Sequence, residues 1–176
     1  MRDPTVSTTR ARRRRAVWLV GVLVLAGAVA NAAAPADTPR AAPYIPGLGE
    51  IMAATQMRHL KLWFAGDAGN WALAAYELDE LEEGFADAIR YHPRHKDAPR
   101  PLAEVVPEFT TAPIAALRAA VAARDRARFV AAYDALTEGC NGCHQATRFG
   151  FNVVVRPRAN PYANQQFAPP DAPAVR

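Results

Sequence analysis

Two cysteines and a histidine fall within five consecutive positions of the stretch "EGCNGCHQATR". They are Cys140, Cys143 and His144, and the chain has no other cysteine. Four chemistries use such a cluster. A structural zinc site needs four protein ligands, and no second Cys-x-x-Cys supplies the missing half. His59, His92 and His95 show no paired spacing with the cluster. A thioredoxin-type dithiol opens a helix within an α/β pattern, whereas this one lies near the end of a helix-patterned segment. A disulfide across two intervening residues closes a very small loop and constrains little of the unfolded chain. The fourth chemistry accounts for each residue. In Cys-x-x-Cys-His the two thiols add to the two vinyl groups of a haem, and the histidine ligates the iron. At helical offsets Cys140, Cys143 and His144 share one face within about one turn. The sequence therefore predicts one covalent haem c, held by Cys140 and Cys143, with His144 as proximal iron ligand.

Haem attachment of this kind follows export, and the N-terminus has the pattern of an export signal. A basic cluster (Arg10, Arg12, Arg13, Arg14, Arg15) precedes the apolar run "AVWLVGVLVLAGAVA", and the small residues "ANAAAPA" follow. The run is shorter than the roughly 20 residues a spanning helix needs, so cleavage near Ala32–Ala34 is expected and a stable membrane anchor is not. The chain is therefore read as periplasmic. Its 21 basic residues outnumber its 17 acidic ones, but residues 1–32 hold six arginines and one aspartate. The rest carries 15 basic against 16 acidic residues, which gives no support to nucleic-acid binding.

The elements that must position the cluster read as all-α. After a signal at 1–34 and a proline-rich lead at 35–47, apolar residues recur at helical spacing through a single domain at 48–150. A proline-rich tail covers 151–176. The first helix runs from about Leu48 to Ala65, with Leu48, Met52, Thr55, Gln56, His59, Leu62 and Trp63 on one stripe. Asn70 caps a second helix ending before Pro93, whose carboxylates, Glu77 among them, read as a solvated face. Four prolines between 91 and 112 suggest a crossover connection, with Thr111 capping a third helix that runs to about Ala123. The fourth starts near Asp125 and carries Val130, Tyr133, Leu136, Thr137 and the cluster inward. In the tail, Val153 to Val155 is the only strand-like piece. Four amphipathic segments with two short links and one long one predict an antiparallel four-helix bundle.

The stretch "RARFVAAYDALTEGCNGCHQATR" resembles the C-terminal helix of the cytochrome c′ and cytochrome c-556 family, the four-helix-bundle class II c-type cytochromes. The resemblance rests on Phe129, Tyr133, Cys140, Cys143, His144 and Arg148. It is architectural only over 48–123, and the long tail departs from the family pattern. It implies a haem inside the bundle, often in homodimers, and roles divided between electron transfer and binding of small gases.

The sixth iron position separates those roles. A thioether ligand suits electron transfer, and an open site admits nitric oxide or carbon monoxide. Met52, early in the first helix, fits the position of the cytochrome c-556 methionine. His59, two turns on, is the lesser candidate, as distal ligand or propionate contact. The expectation is a periplasmic one-electron carrier serving redox partner proteins, and not an enzyme. A five-coordinate gas-binding module is the alternative. Arg58, Lys61 and Arg148 are candidates for pairing with propionates. His92 and His95 read as surface loop, since a proline separates them and no carboxylate pair completes a metal shell.

Overall fold

The structure, a computed structural model, describes residues 42–171. The export signal and its cleavage point near Ala32–Ala34 lie outside these residues. Four helices and no strand form within them: α1 Leu48–Asp67, α2 Trp71–Tyr91, α3 Leu102–Ala123 and α4 Arg126–Ala146. Helix α1 packs on α2 and α3 on α4, with α2 against α3 and α1 against α4 closing the ring. The arrangement is compatible with a four-helix bundle.

Side-chain caps set two of the four helix starts. Asn70 accepts a hydrogen bond from the Leu73 N–H at 3.2 Å, and Asp125 accepts one from the Arg128 N–H at 3.0 Å. Each relieves one of the orphan donors of a first turn, and such a cap is worth about 1 kcal/mol. Leucines at 62, 78, 81, 117 and 136 are fully buried, one or two per helix, and each contributes roughly 1.5–3 kcal/mol of apolar burial. Phe129 and Tyr133 of α4 are equally inaccessible and fill the centre against Trp63.

Three expectations need correction. The third helix begins at Leu102, not at Thr111, so Pro107 and Pro113 lie inside it. Buried Leu102, Val105 and Val106 hold this turn on the core despite the missing N–H groups. Glu77 is not solvated: its side chain is 1% exposed and receives the Arg58 guanidinium at 3.3 Å, while Arg58 reaches Glu80 at 2.7 Å. Residues 153–155 form no strand.

Pro113 has a further consequence. It leaves the Phe109 carbonyl without its usual helix donor, and the α4 backbone approaches that carbonyl at Gly139. A Cβ on Gly139 would sit well inside van der Waals contact with the Phe109 oxygen, and one on Gly142 would stand 2.7 Å from the Phe109 ring. The glycines on either side of Cys140 thus let the cysteine-bearing turn lie close against α3. Because backbone rather than a flexible side chain is in the way, Gly139→Ala is expected to lower unfolding free energy by about 2 kcal/mol. Urea denaturation of the two proteins checks this, and equal midpoints would contradict the close approach.

Candidate functional site

The periodicity that buries Phe129, Tyr133, Leu136 and Thr137 on α4 carries on to Cys140, Cys143 and His144, which line a cleft of about 400 Å³. That volume lies within the range of cofactor pockets, about 300–1,000 Å³. The cleft occupies one end of the molecule, bounded by the start of α1, the end of α2, the start of α3 and the end of α4. Leu81, Phe85, Leu102 and Val106 make its walls largely apolar, and Phe149, Asn152 and Val154 of the tail close one side.

Cys140 and Cys143 are not joined in a disulfide. Burial pushes the Cys140 thiol up to about 12, and burial also raises that of Cys143. Both therefore stay protonated at neutral pH, unlike the low-pKa thiolate of a redox dithiol. Among the described residues no three His, Cys, Asp or Glu side chains are grouped to hold a metal ion.

The His144 ring has one nitrogen engaged. Its Nδ1 lies 2.6 Å from the Asn152 carbonyl oxygen. A carbonyl only accepts, so Nδ1 carries the proton and the lone pair is on Nε2, which has no hydrogen-bond partner among the described residues. This is the tautomer of a histidine that ligates through Nε2, with its other nitrogen anchored to a carbonyl.

Helix α1 contributes Met52, Gln56 and His59 to the same cleft. Met52 is half-buried. His59 is 4% exposed and both of its nitrogens are engaged. Nδ1 meets the Tyr133 hydroxyl and Nε2 the Thr137 hydroxyl, each at 3.0 Å, and the ring stacks on Tyr133 at 4.4 Å. Thr137 donates in turn to the Tyr133 carbonyl, and the Tyr133 hydroxyl also reaches the His59 carbonyl. Desolvation holds the His59 imidazole down at about 4 and raises the Tyr133 phenol well above its ordinary range, so both are neutral.

The remaining candidates disperse. Arg58 is committed to Glu77 and Glu80, and Lys61 lies over the Tyr162 ring at 5.0 Å. Arg148 is exposed and turns the chain at φ 68°. His92 Nε2 hydrogen-bonds the Pro46 carbonyl at 2.8 Å, tying the lead to the end of α2. His95 lines the cleft and packs on Phe149 at 5.6 Å. Sequence reasoning missed the roles of Tyr133 and Thr137 as partners of His59, and of Asn152 as partner of His144. The α4 stripe pointed to the first two; nothing local pointed to the third, which is reached by a chain reversal. Comparison with protein-family models, with curated proteins and with solved structures gives no match.

Proposed function

We propose that the cleft holds one covalent haem c and that the protein is an exported, periplasmic one-electron carrier serving redox partner proteins. Cys140 and Cys143 would hold the haem through thioethers, each thiol adding across one vinyl group, and His144 Nε2 would ligate the iron. In this reading the helices form an antiparallel bundle of class II c-type cytochrome kind, a divergent branch carrying an added tail. The observation that carries it is the meeting of both thiols and a correctly protonated imidazole in one apolar cleft. When bound, the haem supplies one-electron exchange between Fe(III) and Fe(II).

The chain's own residues do the rest. Leu81, Phe85, Leu102 and Val106 exclude water from the cleft, and the Asn152 carbonyl holds the His144 proton on Nδ1. Met52 is the better distal ligand. His59 would have to surrender a hydrogen bond to Tyr133 or Thr137 to ligate, and the net loss of one buried hydrogen bond costs about 0.5–1.5 kcal/mol. No such cost attaches to the Met52 thioether.

The test is a visible spectrum of the purified protein in both redox states, with and without carbon monoxide. A low-spin oxidised form with a sulfur-to-iron charge-transfer band is expected, and Met52→Ala should abolish that band while keeping the pigment. A high-spin oxidised form whose reduced state rapidly binds carbon monoxide would replace this reading with the gas-binding one. A colourless protein would end both.

A further inference from the structure

We propose that the segment following α4 is a strap that sets the ring orientation and tautomer of His144, with Asn141 as its clasp. The proposal rests on the haem reading for its functional consequence but not for its geometry. Arg148, in the left-handed region at φ 68°, reverses the chain, and Phe149 N–H donates back to the His144 carbonyl at 2.6 Å. Asn152 N–H then closes a turn onto the Phe149 carbonyl at 2.8 Å. From there the tail retraces α4: residue 152 lies at 144, residue 154 at 141 and residue 156 at 134.

The register of this return depends on Asn141. Its side-chain Nδ2 donates to the Val154 carbonyl at 2.9 Å, and its Oδ1 accepts from the Val154 N–H at 2.8 Å. A carboxamide is the side-chain group that offers a donor and an acceptor side by side, so it pairs with the backbone as a neighbouring strand would. Among residues 151–155 Val154 alone is half-buried. Phe151, Val153 and Val155 are 83%, 64% and 68% exposed, so the paired Asn141–Val154 hydrogen bonds are the specific contact that fixes the register of this stretch. Beyond the clasp, Arg156 pairs with Asp134 and lies 4.7 Å over Trp63, and Phe167 is buried against Phe64. Those anchors keep the tail on the molecule; the clasp aims its carbonyl.

A histidine that donates Nδ1–H to a carbonyl is a stronger donor at Nε2 and is held in one plane. The strap therefore favours the oxidised iron, and loosening it raises the reduction potential. Asn141 does not line the cleft and acts as a positioning residue, through Val154 and Asn152.

The test compares full-length wild type with Asn141→Leu and Arg156→Ala as purified after export. By spectroelectrochemistry, Asn141→Leu is expected to raise the potential by the equivalent of about a tenfold change in the Fe(III)/Fe(II) ratio, ~59 mV for one electron. Arg156→Ala should reduce thermal stability and leave the potential where it was. Asn141→Ala removes the same two hydrogen bonds without added bulk. It is expected to give the same shift, and it replaces the leucine variant should that one not fold. An unmoved potential in the Asn141 variants, or an equal shift in Arg156→Ala, overturns the strap while leaving the haem reading intact. A colourless wild type overturns the haem reading instead. The strap is then judged by nitrogen-15 NMR of His144: an Nδ1–H tautomer lost in the Asn141 variants supports it, and an Nε2–H tautomer in the wild type sinks it.

Discussion

Cys140→Ser/Cys143→Ser, exported by a cell that attaches haem to c-type cytochromes, is expected to carry no covalent pigment. The wild type should carry about one haem per chain. The effect is all-or-none because no other cysteine is available to form a thioether. Each single variant should keep one thioether and thus a pigment that resists extraction. His144→Ala should keep both links and lose the proximal ligand, with an altered spectrum. Mass spectrometry after acid–acetone extraction reads the outcome directly. Haem mass retained on the double variant, or absent from the wild type, would falsify covalent attachment at these positions. Serine keeps the size and hydrogen-bonding habit of the thiol at half-buried positions, so a fold collapse does not explain a loss of pigment.

Acid is expected to destabilise the protein through His59. The ring is 4% exposed, and desolvation lowers its proton affinity from the ordinary 6.5 to about 4. Between these values the unfolded chain binds a proton that the folded chain refuses, so stability falls as pH falls. The contribution is flat well above the unfolded value, declines from 6.5 to about 4, and is constant again below. At ~1.4 kcal/mol per unit the total is about 3 kcal/mol, an order-of-magnitude figure. Carboxylates titrate in part of the same window, so the quantity to compare is the pH dependence of wild type against His59→Gln. Urea unfolding near pH 7 and again near pH 4 should show the wild type losing about 3 kcal/mol more than the variant. Parallel losses in the two proteins would mean that His59 titrates normally despite its burial. The variant also loses contacts to Tyr133 and Thr137, but that cost is common to both pH values and cancels.

Much of the helical architecture was legible in the chain. The stripe from Leu48 to Trp63, the caps Asn70 and Asp125, and the run from Val130 to Thr147 along α4 are short-range patterns. Residues three and four apart share a face wherever the helix lies, and caps are made within three residues. The same short range explains why Cys140, Cys143 and His144 could be grouped on one face from spacing alone. The start of α3 was harder. Proline is a local signal against helix, and only the burial of Leu102, Val105 and Val106 against other elements overrides it. Glu77 was misjudged for a related reason. Six carboxylates on one segment look alike until Arg58, 19 residues earlier, is brought opposite one of them.

By itself the amino-acid order determined the first, second and fourth helical segments, the caps Asn70 and Asp125, and the pairing of two thiols with an imidazole on a single turn. Each of these depends on contacts within a few residues. Tertiary structure alone decided which groups face that turn. Met52 and His59 line the same cleft, Tyr133 and Thr137 occupy both nitrogens of His59, and the returning tail supplies the carbonyl that holds the His144 ring. The physical reason is that a hydrogen bond reaches about 3 Å, whatever the separation along the chain. Whether two distant residues come that close is set by how the helices pack and where the chain turns back.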